Sequence, residues 1–574
     1  MFAGLKPTLA RAGRLARLTA TGPGAWQGFA LYAVVLGLNF VGVWVAVQLI
    51  AWNKAFYDAL EQMNAAAALR QVGVFFALIA LSAGSWLLAD WLRKKLLILW
   101  RARLTGRALD LWIGNRAYWL MRPGYSAAPV ENPDQRVAED CRLFVDRLLE
   151  FTLDLISELV SLVSFVAILW ALSGFALSFT AFGIGIEIPR YMFWLAPVYV
   201  AASTVITHLL GRPLKGHYFT RERAEADFRH ALIQLRDRAD MVAQSGGEAA
   251  ERRRLDSRFA AVAANWHRLI RAELVQGLFG RPYMQTVLRM PTFFALPAYF
   301  AAAITLGGLM QLASAFSNVT TTLSWFIFSY RKLAEFVAVC ERLDGLVQAT
   351  TTLSPLPAAP RNIRRDVAED GALRLSALRL ATPEGRWLDV VPDRVIRPGR
   401  VFLITGASGQ GKTTLLAAIA GLWPWGEGRI VRPAGRFLFL PAGAPVLGDG
   451  LMAAACHPLD PATLDPSRVI AVLSRLGLSH RLASGEGETG LAGLSMGERQ
   501  RLGLARAVLN APDWLLMDEA TSALDLAAEA DLLSWLRAEL PDTTLVLVAH
   551  RIPSVLKADD TLHIGPTDPE RKLA

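Results

Sequence analysis

Thr405-Gly406-Ala407-Ser408-Gly409-Gln410-Gly411-Lys412-Thr413-Thr414 decides how the second half of this chain folds. It fits G-x-x-x-x-G-K-[ST]. The apolar run 401–404 ahead of it predicts a buried strand and residues 415–422 behind it predict a helix, the flanks this motif requires. A glycine-rich turn can fold its backbone N–H groups around phosphate oxygens, and the helix N-terminus adds partial positive charge. In that frame Lys412 reaches the β- and γ-phosphates and the Thr413 hydroxyl takes a place on Mg²⁺. The expected cofactors are therefore a nucleoside triphosphate and Mg²⁺. The expected nucleotide site is Gly406, Ser408, Gly409, Gly411, Lys412, Thr413 and Thr414.

Downstream, residues 514–517 read as a buried strand ending in Asp518 and Glu519. Asp518 at a strand end can hold Mg²⁺ through water, and Glu519 is placed to polarise an attacking water as general base. Upstream lies Leu494-Ser495-Met496-Gly497-Glu498-Arg499-Gln500-Arg501, which resembles the signature motif of ABC ATPases. Ser522-Ala523-Leu524-Asp525 resembles their D-loop, and His550, after the predicted strand 545–549, resembles their switch histidine. The resemblance implies a head-to-tail pair of nucleotide-binding domains, hence a homodimer. Ser495 and Gly497 of one copy would close on ATP held by Lys412 of the other. Asp525 would join that site, and His550 would contact the γ-phosphate. A small side chain and a glycine at a helix N-terminus permit such an approach.

Two positions depart from the family pattern. After the predicted strand 436–441 the family places a glutamine that touches Mg²⁺; here Ala442 stands there. Alanine can neither ligate a cation nor orient water, so slow or loosely coupled hydrolysis is expected. The usual adenine-stacking aromatic is also missing. Trp387 is the nearest, and burial in the sheet is its simpler role.

The chain has 574 residues, too many for one core, and its composition is unlike that of a soluble protein. It is 53% hydrophobic and 19% charged, with a mean hydropathy of +0.32. Against a usual charge content of about 25%, this demands something other than water over part of the surface. Cys141, Cys340 and Cys456 lie far apart, and the eight histidines show no ligand spacing, so neither disulfides nor zinc are indicated.

Six apolar segments, 29–52, 71–92, 151–173, 192–211, 291–311 and 317–339, each approach the ~20 residues needed to cross ~30 Å of hydrocarbon. Residues 311–317 are the expected break between the last two. Residues 93–150 carry eleven Lys and Arg and 212–289 carry fifteen, whereas the intervening connections carry two, one and none. Basic loops stay in the cytoplasm. Both termini, both basic loops and the ATPase domain are therefore expected on the cytoplasmic side of the membrane. The net charge of +10 then needs no nucleic-acid partner. Residues 1–28, with Lys6, Arg11, Arg14 and Arg17, read as a basic segment lying on the lipid bilayer's inner leaflet.

Residues 96–113 and 224–274 carry apolar positions at helical spacing. Helices of that length extend a membrane bundle ~25 Å or more into the cytoplasm. Breaks at 122–135 and 245–248 are candidate docking turns. The expected organisation is 1–28, then a membrane domain 29–345, a Pro-rich linker 346–372 and a nucleotide-binding domain 373–574. The fold class is thus an α-helical six-span membrane domain, ABC exporter-like, followed by an α/β P-loop nucleotide-binding domain.

Glu131-Asn132-Pro133-Asp134-Gln135-Arg136, followed by Glu139-Asp140, resembles a motif shared by SbmA/BacA-like transporters and the peroxisomal fatty-acid ABC transporters of subfamily D. Glu225-Ala226-Asp227-Phe228-Arg229 and Gly421-Leu422-Trp423-Pro424 support the same resemblance. It implies a half-transporter that imports a polar solute such as a peptide or a cobalamin-like compound. The alternatives are a fatty-acid or acyl-CoA transporter, and a proton-driven carrier with a regulatory ATPase. Pro133 turns the chain at Asn132, which reads either as part of the cytoplasmic coupling region or as a plain helix cap. Asp154 and Glu158 lie one helical turn apart at the start of the third span. They serve either the substrate or protons in a wet interior, or they face cytoplasmic water. His208 and Asn39 are further candidates of this kind.

Overall fold

The computed structural model describes residues 5–122, 124–125, 130, 132–181, 184–287, 289–352, 361–482, 491, 493–549 and 555–565. It divides into two units: residues 1–117 with 130–351, and residues 118–129 with 352–574.

The first unit is helical. α1 (Leu5–Ala20) is followed by three long helices, α2 (Ala25–Glu61), α3 (Ala65–Ile113) and α4 (Cys141–Leu172). α2 and α3 form an antiparallel hairpin whose turn ends where the Asn64 side chain accepts from Ala67 N at 3.0 Å, a helix N-cap. Gly28 lets the Trp100 indole come against the α2 backbone. Much of the outer surface of these helices is bare hydrocarbon: Phe76, Trp86, Leu87 and Val163 are each more than 60% exposed. Apolar side chains in that number are stable only against another apolar phase.

Among the described residues, three helices are long and apolar enough to cross a membrane: Ala25–Glu61, Ala65–Ile113 and Pro133–Leu172. A shorter apolar stretch, Tyr191–Ile206, opens α5 (Tyr191–Asp237). Three of the six expected segments thus lie on such helices, and the departure from expectation is clearest around the fifth. α6 (Glu248–Val287) reaches well into the fifth segment's approach, α7 (Met290–Phe300) is only 11 residues, and the chain turns at 301–305. α8 (Leu306–Thr352) then runs unbroken for 47 residues. The expected break at 311–317 lies inside α8; the real one is at Ala302, whose φ is 54°.

α8 is fastened at both ends. At its start Asp58 Oδ1 accepts from Thr305 Oγ1 (2.6 Å) and Gly307 N (3.1 Å), and Glu61 Oε2 accepts from Leu306 N (3.1 Å). Carboxylates there satisfy the free N–H groups of a helix N-terminus and suit its dipole. Near its other end Arg342 grips Asp140 through two bonds of 2.8 and 2.6 Å, and Arg136 donates to Arg342 O at 2.7 Å. The Asn132–Asp140 motif therefore anchors α4 to α8 inside the helical unit. α1 joins the same end: Arg11 bonds Glu341 at 2.6 Å and Arg14 bonds Asp344 at 2.8 Å. Leu15 and Thr19 are fully buried. α1, read as a segment resting on lipid, thus has one face packed against protein. Between α4 and α5 a hairpin of β1 (Ala176–Ala181) and β2 (Ile184–Pro189) pairs antiparallel.

The second unit is α/β. A parallel sheet has the order β12 (Asp560–His563), β7 (Val401–Thr405), β11 (Thr544–Val548), β10 (Trp514–Asp518), β9 (Phe437–Leu440). Apart from Thr405, Asp518 and Thr544 at their ends, the strands β7, β10 and β11 are apolar, as strands covered on both faces are. Leu403, Leu515 and Leu547 point into one core with α10 (Met496–Asn510) and α11 (Leu526–Glu539). Phe402, Leu516 and Val546 point into the other, with α9 (Lys412–Ile419) and the second sheet. That second sheet orders β3 (Arg361–Ala368), β8 (Gly426–Pro433), β4 (Leu373–Ala381) and β5 (Trp387–Val391), with β6 (Arg394–Ile396) on β4. β3 lies wholly within the stretch read as linker, where it pairs with β8 over its whole length.

Candidate functional site

The predicted strand, turn and helix are β7, the loop 406–411 and α9. Three glycines make the loop possible: Gly406, Gly409 and Gly411 have φ of 146°, 82° and 93°, values that side-chain-bearing residues rarely adopt. A Cβ on Gly406 would lie 2.3 Å from Ile564 O, a backbone atom that cannot swing aside. Gly411 caps α9, and Leu388 of β5 packs over it. The Gln410 side chain holds the loop by accepting from Ala407 N at 2.6 Å. Ser408 and Gly409 are exposed at the tip. Lys412 is 7% exposed and its ammonium donates to Gly406 O and Ala407 O, each at 2.9 Å. The ammonium is thereby held over the loop that phosphates would enter.

β10 lies parallel to β11, itself parallel to β7, so the C-terminal ends of β10 and β7 share one edge of the sheet. This sets Asp518 close to Thr413 at the start of α9. Burial pushes the Asp518 carboxyl up; Thr413 and Lys412 oppose this, while Glu519 adds to it. A hydroxyl and a carboxylate side by side at a helix N-terminus are hard oxygen donors, the type Mg²⁺ takes. The residues fit the ion they were read for.

Glu519 has a φ of 48°, and its N–H donates to Val548 O at 3.0 Å. The left-handed backbone turns it out of the strand direction. For a glutamate that conformation persists only where the surroundings enforce it. Ser495 caps α10 in a reciprocal box: Glu498 N donates to Ser495 Oγ (3.2 Å), and Ser495 N donates to Glu498 Oε2 (2.8 Å). Arg481 bonds Glu498 as well, and that pair together with the Ser495 N–H holds the Glu498 carboxyl down at about 2. Asp525 caps α11 by accepting from Ala528 N at 2.9 Å. Thr414 lies on α9 one residue past Thr413. His550 lies outside the described residues.

Ala442 follows β9 by two residues, in the turn closed by Ala444 N donating to Pro441 O at 3.0 Å. Trp387 belongs to an aromatic cluster with Trp423 and the fully buried Trp425, and the Arg379 guanidinium sits 4.9 Å over its ring. Its surroundings are those of sheet burial.

Sequence reasoning missed the rest of that cluster. The described residues 118–122 and 124–125 group with the α/β unit and not with the helices on either side. Trp119 and Tyr125 meet edge to face at 5.1 Å, Tyr125 lies 5.0 Å from Trp425 and 5.9 Å from Trp423, and Arg122 stacks on both rings. The available signal was aromatic density in two breaks, Tyr118-Trp119 with Tyr125, and Trp423 with Trp425.

In the helical unit, Asp154 Oδ1 lies 3.7 Å from Arg93 NH1, and Glu158 is half-buried one turn along the same face of α4. The opposite face of α4 carries the exposed Leu155, Leu159 and Val163. The two carboxylates thus point into the bundle. Asn39 is half-buried on α2, and the His208 side chain lies outside the described residues.

Residues 21–300 match the family model for ABC transporter transmembrane region 2, and residues 393–522 match that for ABC transporter. The chain is 32% identical over 538 residues to the inner membrane ABC transporter ATP-binding protein YddA of Escherichia coli strain K12, covering 93% of each chain. It is 26% identical to the lysosomal cobalamin transporter ABCD4 of Mus musculus over 80% of this chain and 79% of that one. Among solved structures, a bacterial Atm1-family ABC exporter with ATP bound shares the fold, with a TM-score of 0.67 and 19% identity over 95% of this chain and 94% of that one.

Proposed function

The chain belongs to the ABC transporter family as a half-transporter, a membrane region fused to an ATPase and related to subfamily D members, and from this premise we propose that it works as a homodimer of the bacterial inner membrane that uses ATP to import a polar solute. The ATPase domains and both termini lie in the cytoplasm on this reading, and the SbmA/BacA-like group is its place within the family. The observation that carries it is the placing of Lys412, Thr413, Asp518 and Glu519 at one sheet edge, in a chain that also holds three membrane-length helices.

Each chain supplies one phosphate loop and one signature helix, so two copies are needed to face a P-loop with a Ser495. Lys412 and the loop N–H groups bind the triphosphate, Glu519 takes a proton from the attacking water, and His550 steadies the γ-phosphate. Thr413 and Asp518 would hold Mg²⁺, which offsets charge on the β- and γ-oxygens. The 118–125 segment, clamped by Trp423 and Trp425, carries movement of the ATPase unit to the helices. Asp154 and Glu158, facing inward, suit a solute with cationic or hydrogen-bonding groups, with a peptide or a cobalamin-like compound the chosen class.

A mixing experiment tests the two-copy site. Lys412→Ala and Ser495→Arg proteins should each be inactive alone. Combined in one membrane they should recover part of the hydrolysis, since one mixed site keeps both residues. No recovery, with a fully active parent monomer, would refute the reading. Uptake of labelled peptide or cobalamin by vesicles should stop in Glu519→Gln; uptake that continues without hydrolysis would instead favour a proton-driven carrier.

A further inference from the structure

Gln500 has no part in the roles assigned so far. It sits on α10 five residues after Ser495, is 2% exposed, and turns its whole amide to the loop that follows β10. Nε2 donates to Ser522 Oγ at 3.2 Å and to Glu519 O at 3.4 Å, while Oε1 accepts from Ala523 N at 2.9 Å. The orientation of the amide follows from its partners: a backbone carbonyl only accepts and a backbone N–H only donates.

The loop it grips aims the general base. Glu519 stands at φ 48°, and Ser522 N donates back to Glu519 O at 3.1 Å. Gln500 adds one bond at the Glu519 end of that turn and two at the Ser522–Ala523 end. Its helix carries Ser495 and Gly497 at the N-terminus, so one rigid element joins the residues meant for one nucleotide to the carboxylate serving another.

We propose that Gln500 is a positioning residue that sets Glu519 of its own site according to whether its helix is engaged on the partner copy's nucleotide. The proposal rests on the two-copy reading above. Only a side chain with a donor and an acceptor at this spacing serves. Methionine fills the volume with neither, and glutamate turns a lone pair toward the Glu519 carbonyl.

The test uses full-length protein in lipid nanodiscs, with ATP hydrolysis followed against ATP concentration for Gln500→Met, Gln500→Glu and Ser522→Ala. In Gln500→Met, kcat should fall about tenfold or more, as misplaced reacting groups do. KM should stay within about twofold and the Hill coefficient should drop to one. Gln500→Glu should do the same, and Ser522→Ala should lose less. A loss that appears only as raised KM or lowered Tm, or a variant keeping the parent's kcat and Hill coefficient, overturns the proposal. If the Gln500 variants do not fold, Ser522→Ala decides: lower kcat at unchanged KM supports it, and unchanged kcat overturns it. Failure of the two-copy reading looks different, as a parent without cooperativity and no recovery on mixing.

Discussion

Replacing Trp119 by alanine should release the 118–125 segment while leaving the nucleotide site intact. Trp119 meets Tyr125 at 5.1 Å and Trp425 at 6.4 Å, and Arg122 lies 4.6 Å from its ring. Each aromatic pair contributes about 0.5–1.5 kcal/mol beyond area burial, and the exposed cation–π contact about 0.5 kcal/mol or more. Arg122 keeps its contact with Tyr125 at 4.3 Å, so little of that last term is lost. Adding about 1 kcal/mol for the half-buried indole's area gives a loss of about 3 kcal/mol, or about a hundredfold in the local opening equilibrium. Amide hydrogen exchange on the full-length protein reads this directly. Tyr125 N, which donates to Arg122 O at 3.0 Å, is the reporter. A peptide spanning 118–125 should exchange about a hundred times faster, with the 406–419 peptide unchanged. ATP hydrolysis should persist while uptake falls. Unaltered exchange at Tyr125 would show that these rings do not hold the segment, and the route assigned to it would fail.

Three further outcomes follow from the site. Gly406→Ala, whose Cβ would lie 2.3 Å from Ile564 O, should lower the Tm of the ATPase unit and weaken ATP binding at least about tenfold, measured by calorimetry. Glu498 is held at about 2, below its usual 4.5, so its contribution is fully present above about pH 4.5 and is lost as pH falls through 2. Arg481→Gln should therefore lower thermal stability at neutral pH, with the difference from the parent vanishing in acid; a gap that persists at pH about 2 would contradict this. Ala442→Gln should raise kcat about threefold or more if the missing amide limits hydrolysis, and steady-state assays showing no gain would remove that explanation.

What was legible in the sequence was what chemistry imposes locally. The glycines of the phosphate loop, the two carboxylates ending a strand, and the serine and glycine opening α10 each carry their reason within a few residues. The number and limits of the membrane segments were less legible. Hydropathy rises and falls smoothly through 291–339, whereas the turn at 301–305 and the clasp from Asp58 and Glu61 depend on a helix some 245 residues away. The Trp119–Trp425 cluster was hidden for the same reason: its rings are far apart in the chain and only the fold brings them together. Gln500 looked like part of a signature motif, and its grip on the Glu519 turn needed coordinates to be seen.

The fastening of α8 at both ends has a mechanical consequence. A 47-residue helix is about 70 Å long. With α2 carboxylates seated on its first turn and the Asp140–Arg342 fork near its last, it cannot telescope along its own axis without breaking one fixture. Bowing and swivelling remain open to it. A force applied at the Arg342 end therefore arrives at the Gly307 end as tilt or torque, and the α4 side chains Arg147 and Glu150, paired with Glu335 and Lys332, share in setting which.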